Sequence, residues 1–580
     1  MSIGSLVILY DKNDCDVFLK SKANVDEILT LTPNSYCYIK PYYGNIIRST
    51  DQFLNSDHES VIDRVRNIEE NYLINDTLNF FKHKCVRDTF ISKVHLYLSM
   101  CERLWITIPT ADKYYYVIGH KIYSSSSKRS VFLKIICRLI EGDYSLKSNI
   151  RPSIYSPIIN FFNYFSSKQI RKFNVIVYTG KGYGFENLIQ SYKKHDSGLR
   201  FVRFRGSENN FKDLLIASKT LIDVILNKKE LVFLISPTLP TTPDEEHEIA
   251  FSLEAPHLND AVTVYKKYLM LDLQTTEGMY HRFLDVLYVI NPFLLVAHEV
   301  KYRTNAALAN AAFELNIESY LISHGTHVYG NKEYADFEHM HMARGILGSD
   351  MVKTNVVQSS VALNAIKSFF PKYNYVRFNP IMWGFLECSK SNYGDKDDGI
   401  LHILHASTFK AFTAYRPWIF ETSDEFYEGI RELIDVVSKV SNVFLTIRLR
   451  DAPECDVALI SSLVSLVDNI KLKSDGKFID ALSRSDLLIS NSSTTIEEAL
   501  AGGKDVLLWG YGARYSHAKQ CIHSDKLNSS AINKEVLKRE IIKFRSFKKK
   551  NQKQYRNIQP GVVNFVTQTK VSPNRWTENR

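Results

Sequence analysis

The chain has 580 residues, 45% of them hydrophobic and 23% charged, a balance that excludes an extended disordered protein and leaves room for two or three folded domains. Its net charge of +10 is modest for that length, no apolar run is long enough to span a bilayer, and no internal repeat or signal-peptide pattern is evident. A folded, cytoplasmic, enzyme-sized chain is therefore expected, without a nucleic-acid partner; eight scattered cysteines form no CxxC pair, so they read as free thiols and no metal site is expected.

The first clear strand is Ser5 to Tyr10, and a stretch rich in Tyr and Phe follows to about residue 165. Within it, residues 129 to 140 set Val131, Phe132, Ile135, Ile136 and Leu139 on one face with Lys134 and Arg138 elsewhere, a basic amphipathic helix. Residues 154 to 165 are dense in aromatics. This pair reads either as a core helix with its partner or as a peripheral contact with a membrane surface.

From residue 174 strands and helices alternate, which predicts a parallel α/β sheet. Asn174 to Tyr178 is a strand, followed by a loop with glycines at 180, 182 and 184 and a helix over 186–194. Gly182 is placed in an acceptor pocket, although a plain strand-to-helix turn explains the glycines equally well. Strands are expected at 231–235, 293–297 and 319–323, with a helix over 306–315. The last strand runs into ISHGTHVYGN, so His324 is expected at the carboxyl edge of the sheet, where doubly wound folds place ligands and an imidazole takes a proton near neutral pH. Gly325 and Thr326 then border the acceptor. A strand is expected over 345–349 and a helix over 356–369, and a polar linker over 389–398 marks a domain boundary near residue 390.

The next strand, residues 400 to 405, delivers Ser407 and Thr408 to a ligand edge, and the strand 443 to 449 delivers Arg448 and Arg450, spaced to point the same way. The segment 486 to 510, DLLISNSSTTIEEALAGGKDVLLWG, is the most informative. A buried strand ends in hydroxyls, Ser492, Ser493, Thr494 and Thr495, at the start of a helix whose first turn holds Glu497 and Glu498; Gly502 and Gly503 end that helix before another strand. Hydroxyls and backbone N–H groups in this setting suit a phosphate. Beyond it, residues 534 to 556 carry ten Lys or Arg against Glu535 and Glu540, a basic tail read as a solvated helix or as a contact for anionic lipid.

The Ser/Thr-rich loop and the HG pair resemble those of GT-B glycosyltransferases of bacterial surface-polysaccharide synthesis, the Kdo, sialic acid and CDP-glycerol transferase groups among them. The chain has Ser323 where the CDP-glycerol enzymes carry a tryptophan before HG. The resemblance implies an α/β fold of GT-B type, two Rossmann-like domains facing a central cleft with a C-terminal helical tail: an acceptor domain over 1–390, a donor domain over 391–535 and a tail over 536–580. It also implies that residues 492–495, Arg448 or Arg450, Ser407 and Thr408 hold donor phosphate or base, that Glu497 or Glu498 holds ribose, and that His324 is catalytic. No cofactor or metal is implied, since the nucleotide-sugar is a substrate; the acceptor is a saccharide or glycolipid. A CMP-linked acidic sugar such as CMP-Kdo fits the paired arginines. A CDP-alditol phosphotransferase, a UDP-sugar 2-epimerase and a non-catalytic sugar-binding scaffold are the alternatives.

Overall fold

A computed structural model describes residues 3–48, 59–74, 82–145, 155–180, 185–207, 211–235, 255–301, 303–323, 333–382, 399–407, 409, 421–450, 455–463, 467–490, 493–509, 528–531, 533–548 and 561–569. The protein is α/β, as expected, and is built on three sheets. No helix among the described residues is long and apolar enough to cross a membrane.

The first sheet uses β1 (Ile3–Leu9), β2 (Glu27–Thr30), β3 (Ile46–Ile47), β4 (Ala111–Ile118) and β5 (Lys121–Ser125), in the order β3-β2-β1-β4-β5. Only β5 runs antiparallel to its neighbour. Its helices are α1 (Lys12–Ser21), α2 (Pro33–Ile39), α3 (Glu59–Ile74), α4 (Lys84–Thr107) and α5 (Lys128–Ser145). The expected single unit over 1–390 thus contains a further sheet. Its central pair, β1 and β4, is separated in sequence by β2, β3 and four helices, two of them long (16 and 24 residues), so no regular alternation announces the sheet. Helix α5 is the expected basic amphipathic helix, and it belongs to the core: Val131, Phe132 and Ile136 are buried, while Arg129 is paired with Asp260.

The middle sheet follows α6 (Tyr155–Ile170). It comprises β6 (Val175–Tyr178), β7 (Arg200–Gly206), β8 (Glu230–Ile235), β9 (Leu294–Ala297), β10 (Glu318–Ile322), β11 (Thr354–Val357) and β12 (Tyr375–Arg377), all parallel. The connecting helices are α7 (Phe185–His195), α8 (Phe211–Ile225), α9 (Pro256–Ile290), α10 (Arg303–Glu314), α11 (Glu333–Ala343) and α12 (Ser360–Phe369). Residues 345–349, expected as a strand, instead form a turn closed by the Arg344–Gly348 bridge. Gly345 adopts φ +75° there, and a Cβ on it would stand 2.7 Å from the Lys301 backbone, so the site admits only glycine. The expected helix over 356–369 begins later, because its first residues complete β11 and Ser359 caps α12 by accepting from the Ala362 N–H.

The third sheet holds β13 (Leu401–Ser407), β14 (Val443–Leu449), β15 (Ile470–Lys473), β16 (Leu487–Ser490), β17 (Asp505–Trp509) and β18 (Asn528–Ala531), again parallel throughout. Around it lie α13 (Ser423–Ser438), α14 (Val457–Leu463), α15 (Phe478–Ser483), α16 (Thr495–Ala501) and α17 (Lys534–Lys548). The chain then forms α18 (Gly561–Gln568). The middle and third sheets share one plan. Orders β8-β7-β6-β9-β10-β11-β12 and β15-β14-β13-β16-β17-β18 both start at a central strand, proceed to one side and then switch to the other.

The C-terminal helices are not a free tail. Helix α17 buries Leu537, Ile541 and Phe544 in the core of the third sheet, and Lys534 pairs with Asp435. Helix α18 returns to the middle sheet, where Phe565 and Val566 are buried beside Tyr192 and Phe378 and the Tyr192 hydroxyl meets Thr569 at 2.5 Å. The basic composition of the segment concealed these apolar stripes. In the same core cluster as α17, α2 of the first sheet packs on α13: the Tyr36 hydroxyl donates to Glu428 at 3.1 Å and Ser423 donates to the Leu31 carbonyl at 3.2 Å.

Candidate active site between two switch points

A parallel sheet sends every carboxyl end to one edge, and the strands flanking a change of direction leave a crevice there. In the middle sheet those strands are β6 and β9. Beyond them come Thr179 and Gly180 on one side and His298 and Glu299 on the other. The His298 ring nitrogen Nδ1 lies 3.1 Å from the Thr179 hydroxyl, which also accepts from the His298 N–H at 3.3 Å. The ring is buried against the edge of Phe185, 5.4 Å between centroids. Gly180 makes this approach possible, since a Cβ there would meet His298 Cε1 at 2.6 Å. Burial raises the Glu299 carboxyl above its ordinary range, with Lys301 opposing. Lys301 is itself buried and donates to the carbonyls of His341 and Met342 at 2.9 and 3.0 Å.

One strand further along, the chain leaves β10 through Ser323, which is buried. Gln358, also buried, donates to the Ser323 carbonyl and accepts from the N–H groups of Ile381 and Met382 at 2.7 and 2.8 Å. One side chain therefore fixes both the residue before the HG pair and the stretch that leads toward the third sheet. His324, Gly325 and Thr326 lie outside the described residues, as do Gly182, Thr408 and Ser492.

In the third sheet the switch point lies between β13 and β16, and it is closed by two hydrogen bonds. Ser490 donates to the Ala406 carbonyl at 2.9 Å, and His405 Nδ1 lies 3.1 Å from the Ile489 carbonyl. Burial lowers the His405 imidazole to about 4, the bond to Ile489 opposing, so the ring is neutral and its Nδ1–H is the donor. Ser407 ends β13 at the same edge.

The hydroxyl loop enters α16 beside this point. The Ser493 carbonyl accepts from the Ile496 N–H at 3.1 Å, and the Ser493 hydroxyl from the Thr495 N–H at 3.3 Å. Thr494 is already helical (φ −60°, ψ −18°) and its side chain makes no cap hydrogen bond. The Thr495 hydroxyl is buried with no hydrogen-bond partner among the described residues. Glu497 is buried and accepts from the Ser359 hydroxyl. Ser359 is the cap of α12, so this bond ties the carboxyl edge of the middle sheet to that of the third. Glu498 is largely enclosed, and burial followed by the neighbouring Glu497 charge pushes it up to about 7.

The two arginines part company. Arg448 donates to the carbonyls of Asp475 and Gly476, at 3.0 and 2.5 Å, and so holds the turn after β15. Arg450 is exposed at the end of β14. With β13 between β14 and β16, it starts about 10 Å from the hydroxyl loop, within reach of a bound diphosphate. An open groove of about 750 Å³ lies farther out, lined by Asn34, Asp456, Lys471 and Lys473 among others, at the junction with α2 and away from either switch point.

Sequence reasoning passed over Thr179, His298, Glu299 and Gln358. The signal for His298 is HEV after the apolar run LLVA, the same pattern of a polar residue behind a buried strand that marks His324. Among the described residues one group brings metal-type ligands together, His83, Glu277 and His281, with ligand atoms within 4.8 Å of one another; it lies at the start of α4 and on α9 rather than at a strand edge.

No family model and no curated protein matches the chain. Among solved structures it is similar to a putative UDP-N-acetylglucosamine 2-epimerase from Listeria monocytogenes, at 15% identity over 68% of this chain and 94% of that one, TM-score 0.42. It is also similar to a glycosyltransferase from Rickettsia africae, 13% identical over 68% and 93%, TM-score 0.36. A third is the lipopolysaccharide outer core galactosyltransferase WaaB, 11% identical over 68% and 94%, TM-score 0.34. Identities and scores this low assign no activity.

Proposed function

We propose that the protein is a sugar-nucleotide-dependent transferase of GT-B type, acting between the carboxyl edges of the middle and third sheets. The observation that carries this reading is the bond from Ser359 to Glu497, which brings the carboxyl edges of the two sheets, different in chemistry, against each other. The third sheet offers hydroxyls, an open arginine and carboxylates, a set suited to phosphates and ribose. The middle sheet offers an imidazole and a carboxyl, a set suited to moving a proton.

In this reading Ser493, Thr494, Thr495 and Arg450 face the donor phosphates and Glu498 faces the ribose. The acceptor hydroxyl attacks the anomeric carbon and gives its proton to His298 or His324. The bond from that carbon to the phosphate oxygen breaks, and the electron pair leaves with the nucleotide, where the hydroxyls and Arg450 stabilise it. The acceptor is a saccharide or glycolipid of a surface polysaccharide. A CMP-linked acidic sugar was suggested by paired arginines; with Arg448 engaged by carbonyls, Arg450 alone supports that choice.

Glu498, raised to about 7, favours a second reading, an epimerase in which a carboxyl near neutrality abstracts a proton from the donor sugar itself. The two readings separate in one experiment. Full-length protein is incubated with a panel of nucleotide sugars in deuterated water, with and without a saccharide acceptor. Transfer releases nucleotide only with acceptor present; epimerisation incorporates deuterium into the sugar without it, and neither result would remove both readings.

A further inference from the structure

The helix pair α6 and α8 carries apolar side chains on its outward face as well as its inward one. It lies along the open edge of β8, where the Asn163 side-chain amide donates to the Leu234 carbonyl and the Thr220 hydroxyl to the Val232 carbonyl, both at 2.6 Å. Asn163 and Thr220, both buried, satisfy two carbonyls of that edge, and Ser166, Ser167, Ile159 and Ala217 are buried on the same inward side. The outward face is apolar too. Phe161 is 56% exposed, Leu215 54%, Ile222 55% and Ile225 66%. Of the fifteen exposed large hydrophobic residues among the described residues, nine fall on this pair or the residue after it, which makes a contiguous patch rather than the scatter normal for a surface.

The charges around the patch have one sign. Residues 155–172 and 211–229 contain seven Lys or Arg and two Asp. Both aspartates are engaged, Asp213 with the Ser207 hydroxyl at 3.0 Å and Asp223 with Lys228 at 2.5 Å. Lys168 stands 4.6 Å over the Tyr164 ring, while Arg171, Lys172, Lys212 and Lys219 are exposed.

We infer that the outward face of α6 and α8 docks on an anionic lipid bilayer. Two adjacent helices with exposed Phe, Leu and Ile inserted to the acyl boundary and lysines at headgroup level satisfy both halves of such a surface. A second copy of this face is a poor occupant, because self-association would set the basic rim against itself. The assignment moves the membrane contact away from α5, whose apolar face is core, and away from the basic C-terminal segment, whose described helices are packed. It does not rest on the proposed transfer reaction.

The test is co-sedimentation of the full-length protein with vesicles of phosphatidylcholine alone or mixed with about one-third phosphatidylglycerol. Binding to the anionic vesicles is expected to exceed binding to neutral ones by about tenfold or more and to weaken in high salt. A Phe161→Ser/Leu215→Ser/Ile222→Ser variant, altered only at exposed positions, is expected to lose about tenfold or more while its melting temperature and nucleotide response are unchanged. Lys168→Glu/Lys219→Glu is expected to remove the preference for anionic lipid. Equal sedimentation of wild type and the serine variant, or no sedimentation of wild type with either vesicle, overturns the inference. So does sedimentation velocity showing a lipid-free dimer that the serine variant abolishes.

Discussion

The middle and third sheets have the same strand plan and opposite edges. At the middle switch point, β6 and β9 are bridged by the hydrogen bond between Thr179 and His298, with Glu299 following. At the third, β13 and β16 are closed by Ser490 and by a His405 that is locked neutral, and the exposed chemistry moves outward to the hydroxyl loop and Arg450. The same topology therefore yields one edge suited to proton transfer and another suited to binding phosphate. What differs is where each edge spends its polar groups: on the crevice itself, or on closing it.

The strongest way to break this division is to remove the imidazole of the middle edge. His298→Ala is expected to lower turnover by about 100-fold or more while nucleotide affinity stays within about twofold, as steady-state kinetics and calorimetry would measure. If affinity falls with turnover, both edges bind donor and the division fails. A subtler probe is Gly180→Ala, whose Cβ cannot coexist with the present ring position. Displacing His298 without deleting it is expected to lower turnover about tenfold at little cost in nucleotide binding.

Titration sharpens the contrast at the third edge. His405 is lowered from its ordinary value of 6.5 to about 4, so its stabilising effect is intact above pH 6.5 and is lost as pH falls from there toward 4. The loss is on the order of 3 kcal/mol, and His405→Gln is expected to remove that part of the acid slope in chemical denaturation. Glu498 acts in the reverse sense. Raised to about 7, it costs nothing below its ordinary range and lowers stability as pH rises from about 4.5 through about 7. Glu498→Gln should remove that decline between pH about 4.5 and about 7.

The smallest expected effect is that of Ser359→Ala. It removes the cap of α12 and the bond to Glu497, with an expected cost of about 1 kcal/mol from the cap. Small-angle scattering with and without nucleotide should show a broader distribution of separations between the sheets in the variant; an unchanged distribution would mean that packing alone sets the cleft.

The third sheet was largely legible in the sequence because its signals are local. The strand at 487–490 runs directly into its hydroxyls, and α16 follows within five residues. What escaped notice depends on contacts across long stretches of chain. Thr179 and His298 are 119 residues apart, and nothing at either position announces the other. Ser359 meets Glu497 across 138 residues, a tie between sheets that neither position announces. Arg448 and Arg450 share a strand face, as their spacing required, yet the turn after β15 claims one of them. The first sheet was missed for a related reason: β1 and β4 pair although α1 to α4 and two further strands intervene. The inward polar residues of α6 likewise gain meaning only once β8 lies beside them.

Nucleotide binding by the full-length protein tests the central claim most directly. Thermal shift and calorimetry with UDP, GDP, CDP and CMP should show stabilisation by at least one of them, amounting to about 2.7 kcal/mol at a concentration 100 times the dissociation constant. A Ser493→Ala/Thr495→Val variant, with its fold intact, should bind that nucleotide at least about tenfold more weakly, whereas His298→Ala should not. Failure of every nucleotide to stabilise the protein, or undiminished binding by the hydroxyl-loop variant, would contradict the assignment of the third edge as the donor site.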